Sequence, residues 1–337
     1  MADAVLLTGI SGFLGGHVAL ALLRAGYAVR GSLRDMGRAD AVRASLASAG
    51  ADTARLDFVA LDLLSDVGWA EAMAGVRFLQ HTASPFFLTA PADPQALIAP
   101  AVEGTRRALT AALAAGVERV VLTSSIAAIQ YGHADPGRLL DETDWTDPHS
   151  PRANAYARSK TLAEREAWAL MAAAGRTRDL AVLNPAVLFG PLLDDDPGTS
   201  ALLIRRLLGG RLPALPPLHL SCADVRDVAA LHVDAVTDPA AGGERCIVAE
   251  GTYGLPDIAA MLRPTFPEHR IPRRTLPLWL VRLAALFDAD LRANIEETGA
   301  PKRFVSTRAP ARLGRPLIST AEAARATAHS LIARGLV

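Results

Sequence analysis

The sequence predicts an α/β protein in which a doubly wound parallel sheet carries a smaller, discontinuous second domain. Three observations predict it. Short apolar runs alternate with amphipathic stretches over the first two hundred residues. A glycine-rich turn follows the first apolar run and opens a helical pattern. Prolines then break up the pattern beyond residue 185. Repeated β-α-β alternation means parallel strands with helices on both faces, because each crossover needs a helix that must bury its own apolar stripe.

In order, Ala4–Thr8 reads as strand, Phe13–Arg24 as helix ended by Gly26, and Tyr27–Leu33 as strand. Helix Ala39–Ser48, strand Leu56–Ala60, a short helix near Val67–Met73 and strand Val76–Gln80 follow. Helix Leu97–Ala114, closed by Gly116, leads to strand Glu118–Thr123. Ser150-Pro151 reads as the start of a helix running to about Ala174, with Pro in its first turn, and Leu180–Leu183 as the next strand. Asp224–Val236 reads as helix, Arg245–Ala249 as a strand returning to the main sheet, and about Thr320–Arg334 as a last helix. The division expected is residues 1–187 plus 223–252 for a nucleotide-binding domain, 188–222 plus 253–316 for the smaller one, and 317–337 as a C-terminal helix.

Bulk composition narrows the function. Lys+Arg and Asp+Glu are 35 each, which gives no electrostatic pull towards nucleic acid or acidic membranes. No uninterrupted apolar run reaches a membrane span, and the N-terminus does not read as a signal peptide. Cys222 and Cys246 are far apart and suggest two free thiols, not a metal site. A cytoplasmic protein is expected. Only two of the basic residues are lysines, Lys160 and Lys302, so a lysine here invites a chemical explanation.

The run Thr8-Gly9-Ile10-Ser11-Gly12-Phe13-Leu14-Gly15 gives that expectation content. Gly9 permits a tight turn, Gly12 lets backbone approach a pyrophosphate, and Gly15 lets helix and strand pack closely. The helix start offers free N–H groups to phosphate. This is the Rossmann-type dinucleotide fingerprint. An NAD-binding chain usually carries an acid at the tip of its second strand; here that strand ends Ser32-Leu33-Arg34-Asp35. Ser32, Arg34 and Arg38 suit a 2′-phosphate, which favours NADP(H). Asp35 keeps NAD(H) as the alternative, since a small shift of the strand end turns it inward. Asp62, after the third strand, can accept from an adenine amine or simply close its own turn.

Tyr156 and Lys160 stand four apart in a predicted helix, on one face. An ammonium near a phenol is expected to lower its pKa and make it a general acid towards a carbonyl oxygen. Thr123-Ser124-Ser125 ends the fifth strand, and a hydroxyl there can bond the same oxygen; Ser125 is the first choice and Ser124 the second.

Together these residues resemble the extended short-chain dehydrogenase/reductase superfamily over nearly the whole chain. The resemblance rests on Thr8–Gly15, Asp62-Leu63, His81-Thr82-Ala83-Ser84-Pro85, Thr123–Ser125, Tyr156–Lys160 and Asn184–Pro191. Ser32–Asp35, Asp141–Trp145 and Ser159–Glu164 make it most similar to the dihydroflavonol reductase-like branch, which includes plant flavonoid reductases, cinnamoyl-CoA reductases and microbial ketone and aldehyde reductases. That branch implies NADPH with Arg34 on the 2′-phosphate, and Ser125, Tyr156 and Lys160 as the catalytic triad. It also implies a cofactor lining from Leu63, Thr82, Ala83, Ser84 and Thr123, with Pro185 and Leu188 flanking the nicotinamide. Ile126 stands where many relatives have a small residue.

Apolar segments at Phe86-Phe87-Leu88, Ile126-Ala127, Leu192-Leu193 and Leu215–Leu220 suit a hydrophobic or aromatic ketone or aldehyde; Phe86, Ile126 and Leu192 are the pocket residues named. The expected partner is thus a small carbonyl substrate, with no nucleic acid or membrane, in a monomer or a homodimer. Two rivals remain. One is an NAD-dependent nucleotide-sugar epimerase or dehydratase, with Arg205, Arg206 and Arg211 on a diphosphate; the other is a non-catalytic NADP-sensing regulator.

Overall fold

A sheet covered on both faces must be apolar on both, so its strands should read as continuous hydrophobic runs whose alternate residues enter different cores. That is the arrangement found in the computed structural model, which describes residues 2–84, 93–135, 137–210, 212–287, 292 and 295–337. The first strands and helices are β1 (Ala4–Thr8), α1 (Phe13–Arg24), β2 (Ala28–Leu33), α2 (Ala39–Ser48) and β3 (Leu56–Ala60). Next come α3 (Trp69–Met73), β4 (Phe78–His81), α4 (Gln95–Ala114), β5 (Arg119–Thr123), β6 (Leu139–Leu140), α5 (Ala155–Ala173) and β7 (Leu180–Pro185). The chain then forms β8 (Val187–Phe189), α6 (Gly198–Leu208), β9 (His219–Asp224), α7 (Val225–Thr237), β10 (Arg245–Val248), β11 (Gly251–Gly254), α8 (Leu255–Leu262) and α9 (Leu278–Ala284).

Seven strands form one parallel sheet in the order β10-β7-β5-β4-β1-β2-β3. Leu6, Leu79, Val120, Leu122 and Val182 point to one face, where they meet Trp69 and Met73 of α3, Leu109 of α4 and Met171 of α5. Their neighbours Val5 and Leu7 point to the other, against Val18 and Leu22 of α1 and Val236 of α7. The period-2 alternation is therefore split between two cores. Arg245–Val248 does return to this sheet, beside β7.

The Pro-rich region builds a second layer. β8 and β9 are parallel and β9 and β11 antiparallel. Ile204 and Leu207 of α6, Ile258 and Leu262 of α8, and Ala324, Ala328 and Leu331 share one cluster with Phe189. The last three belong to the C-terminal helix Thr320–Ala333, which packs into this layer and not apart from it. Among the described residues, no helix is long and apolar enough to cross a membrane.

Two boundaries differ instructively from expectation. The helix expected from Pro151 starts later: Asn154 is its N-cap, its side-chain oxygen accepting from Ala157 N at 2.9 Å, while residues 150–153 form a turn. An Asn cap satisfies a first-turn N–H, which Ser150-Pro151 does not do for this helix. The fourth strand is Phe78–His81 where Val76–Gln80 was expected, because Gly75 adopts φ +70° and Val76 still belongs to the turn it makes.

The order of the sheet reverses between β1 and β4, and polar side chains sew that point. Thr8 Oγ1 and His81 Nδ1 lie 2.8 Å apart, and Thr82 Oγ1 donates to the Thr8 carbonyl at 2.6 Å. On the α7 side, His232 Nδ1 donates to Gln80 Oε1 at 2.6 Å and its Nε2 meets Thr123 Oγ1 at 2.9 Å. Burial lowers both histidines from 6.5 to about 3, so both are neutral. The unfolded chain takes up their protons below pH 6.5 while the native state does not, so stability is full above 6.5 and is lost as pH falls towards the folded values. Urea unfolding should show stability dropping by ~1.4 kcal/mol per pH unit for each of the two below pH ~6. His232→Gln should remove one of these increments; a profile flat down to pH ~5 contradicts neutral burial.

Candidate active site

The glycine turn sits at the carboxyl end of β1, where a parallel sheet opens its ligand crevice at a strand-order reversal. Gly9 takes φ +76°, and a Cβ there would meet the Ala83 backbone at 2.9 Å. A Cβ at Gly15 would lie 2.0 Å from Gly9 O, so this glycine packs helix against turn more than helix against strand. Gly12 is different: its Cβ would touch only Gly9 O, at 3.4 Å, and open space lies beyond. Gly12 is also the N-cap of α1 and supplies no side-chain acceptor, so no cap occupies the first-turn N–H groups. The turn is thus a bare, positively polarised cradle that fits a pyrophosphate. Ser11, Phe13 and Leu14 are partly exposed around it. Phe13 stands edge-on to His17, whose Nε2 donates to the Pro191 carbonyl at 2.8 Å and ties α1 to the second layer.

At the tip of β2, Ser32 and Leu33 are buried while Arg34, Asp35 and Arg38 are exposed. Asp35 is committed locally: Oδ1 accepts from Gly37 N at 2.9 Å and caps a single 3-10 turn, Met36–Arg38. One carboxylate oxygen is thus engaged by that turn, and both arginines are without an ion pair among the described residues. Asp62 likewise accepts from Leu64 N at 2.9 Å, closing its own turn, and Leu63 packs over Gly104 of α4.

The three hydroxyls after β5 separate cleanly. Thr123 faces His232, as above. Ser124 Oγ donates to Glu164 Oε2 at 2.5 Å. Ser125 is left for Tyr156: its hydroxyl lies close enough to the phenol to favour the ionised form, and Ser125 Oγ accepts from Ala127 N at 3.1 Å. Lys160 is buried one turn along α5, with Nζ 5.9 Å from the centre of the Tyr156 ring. Lys160 lines one small cavity with His81, Ala83, Ser84 and Ser124, at the carboxyl ends of β4 and β5. Tyr156, Ser125 and Lys160 are therefore brought together beside the reversal point.

The expected acidity is not found. Burial raises the Tyr156 phenol above its ordinary 10, and the Ser125 hydrogen bond only partly opposes this. Desolvation also lowers Lys160 from 10.5 to about 8, partly offset by Glu164. The physical reason is that a dry site penalises the phenolate more than an ammonium about a turn away favours it. The phenol is a neutral donor beside a lysine that is mostly charged at neutral pH.

The other named residues fall elsewhere. Ile126 is buried in the cluster that holds Val121 and Leu183, and Leu192 in the second-layer cluster of Phe189. Pro185 is buried at the end of β7, and Leu188 is partly buried two residues into the second layer. Phe86 lies outside the described residues, as do Pro85, Phe87, Leu88 and Arg211. Arg205 and Arg206 are exposed on α6.

What the sequence reading missed is a buried charge network beneath the triad. Glu164 Oε1 accepts from Arg245 Nε at 2.5 Å and from Trp168 Nε1 at 3.3 Å. Its Oε2 accepts from Ser124 and, at 2.9 Å, from Asn184 Nδ2, which also reaches Ser125 O at 3.2 Å. Arg245 stacks over Trp145 at 3.9 Å. The signal was present: Tyr156, Lys160 and Glu164 stand at i, i+4 and i+8 on one helix face.

Residues 5–249 match the NAD dependent epimerase/dehydratase family. The chain belongs to this family, among the extended short-chain dehydrogenase/reductases. Cinnamoyl-CoA reductase 1 of Petunia hybrida is 35% identical over 81% of this chain and 80% of its own length. Cinnamoyl-CoA reductase CAD2 of Medicago truncatula is 34% identical over 81% and 84%. Yeast methylglyoxal/isovaleraldehyde reductase Gre2, solved with NADPH, shares the fold: TM-score 0.80, 24% identity, 99% of this chain and 100% of that one. The resemblance read from the sequence is thus established, and the chain is an oxidoreductase of the dihydroflavonol reductase-like branch.

The two glycine roles separate experimentally. Gly15→Ala should lower urea-unfolding stability by at least ~3 kcal/mol, while Gly12→Ala should stay within ~0.5 kcal/mol of the parent. Equal losses in both contradict the assignment of packing to one and an open cradle to the other.

Proposed function

We propose that this chain is an NADPH-dependent carbonyl reductase acting on a hydrophobic ketone or aldehyde. The observation that carries the reading is the Tyr156 phenol beside Ser125 at the carboxyl edge of the sheet, with Lys160 buried one turn away and its Nζ 5.9 Å from the ring centre. The reductases among its relatives, and the NADPH held on the same fold by the yeast neighbour, support it.

Gly9, Gly12 and the start of α1 bind the pyrophosphate. Ser32, Arg34 and Arg38 take the 2′-phosphate, since Asp35 is turned into its own cap and leaves no acid to select a free ribose hydroxyl. A dinucleotide held there would supply hydride for the carbonyl carbon. Ser125 donates a hydrogen bond to the carbonyl oxygen and orients it. Tyr156 gives that oxygen its proton, so the C=O π bond becomes C–H and O–H and the phenol becomes phenolate. A donor must hold its proton until charge develops, and burial keeps the Tyr156 phenol neutral for that purpose. Lys160 stabilises the phenolate that forms, helped by the position of Tyr156 in the first turn of α5, where the helix dipole is positive. Tyr156 is then reprotonated from solvent.

Tyr156→Phe should lower kcat for NADPH-dependent reduction of an aryl ketone or aldehyde by about 10²–10⁴-fold. NADPH affinity, read by fluorescence titration, should change little. Undiminished turnover in this variant removes the assignment. Arg34→Ala should cut the preference for NADPH over NADH by at least ~10-fold, the size of a lost charge-assisted pair. An unchanged ratio places the 2′-phosphate elsewhere.

A further inference from the structure

We infer that Glu164, clamped by Arg245, is a positioning residue that serves as the buried counter-charge of Lys160. The inference rests on the reading of Lys160 given above only for its kinetic consequence; the charge relation itself stands on geometry.

A lysine this deeply buried needs a reason to stay charged. Four elements face it. From β4 comes His81, made neutral by burial; from α4 comes Thr105, which carries no charge. From α5 itself come Tyr156, one turn back and neutral, and Glu164, one turn on. From β5 come Leu122, Thr123 and Ser124, none of them charged; Arg245 of β10 meets Glu164. Glu164 is thus the one carboxylate, among the described residues, lining the cavity that Lys160 lines. The two form no direct ion pair; they share that cavity, with Ser124 between the strand end and the carboxylate.

The carboxylate is held in place from several sides. It is buried, yet five donor contacts surround it: two from Arg245, at 2.5 and 3.3 Å, and one each from Trp168, Ser124 and Asn184. Arg245 is itself fixed by the Trp145 ring and by the carbonyls of Glu142 and Asp144. The negative charge is therefore pinned one helical turn from the lysine, and it raises the pKa of Lys160 against the desolvation that brings it to about 8. Its other contacts, Ser124 and Asn184, hold the ends of β5 and β7 around Ser125.

The scarcity of lysine supplies the test. Protein labelled with ¹³C at the lysine ε carbon gives two resonances in the full chain, and Lys302→Arg identifies that of Lys160. Its titration should have a midpoint near 8 in the parent and about one pH unit lower in Glu164→Gln. Glu164→Asp keeps the charge but withdraws it, and should move the midpoint in the same direction by less. A midpoint unchanged in folded Glu164→Gln overturns the inference. If that variant does not fold, an unchanged midpoint in Glu164→Asp does so. With NADPH and substrate, the alkaline limb of kcat should move with the resonance while KM for NADPH stays nearly constant. A resonance that moves while the rate profile stays fixed leaves the counter-charge standing and removes Lys160 from the reduction.

Discussion

The site depends on desolvation: a partly buried phenol and a buried ammonium are held together where packing withdraws much of their water. Water would favour the charged lysine and leave the tyrosine ordinary. Packing instead raises one and lowers the other, so that both rest as a neutral donor and a marginal ammonium. Such a pair is costly to bury and useful only if the surrounding groups are fixed. The Glu164–Arg245 network and the Asn184 bridge to Ser125 do that fixing.

The fold supplies the place. A seven-stranded parallel sheet reverses order between β1 and β4, and the crevice there needs a backbone that can approach phosphate on one side and side chains that can do chemistry on the other. Gly9 to Gly15 provide the first, and the ends of β5 and α5 the second. The second layer is tied on by a few specific contacts, among them His17 to Pro191, and by the C-terminal helix, which shares its apolar cluster with α6 and α8. Arg334 of the last turn also donates to the Leu193 carbonyl at 2.8 Å, on the loop that closes beside Gly12 and Phe13.

The parallel sheet was legible because its strands are near-continuous apolar runs and because Gly9 and Gly15 of its turn leave no room for a side chain. The Tyr156–Lys160 pair was legible because helical spacing is a local property and lysine is rare in this chain. Other features were not local. Which hydroxyl of Thr123, Ser124 and Ser125 meets the tyrosine depends on His232 and Glu164 claiming the other two, from residues 109 and 40 positions away. The fate of Asp35 depended on one cap bond to Gly37. The sign of the tyrosine shift depended on burial, which sequence spacing does not report. Apolar character alone does not separate a pocket wall from a core, so the sequence could not say how deeply Ile126 and Leu192 are buried. Glu164 was in plain sight, but its importance comes from Arg245, which reaches it only once β10 lies beside β7.

The reduction proposed above moves hydride from a nicotinamide to a carbonyl carbon. It is tested most directly by turnover of a hydrophobic ketone with NADPH carrying deuterium at both C4 positions. The account predicts one deuterium on the carbinol carbon per NADPH oxidised, with only exchangeable solvent hydrogen on the oxygen. Deuterium lost to water, or a product formed with no net oxidation of NADPH, would contradict it.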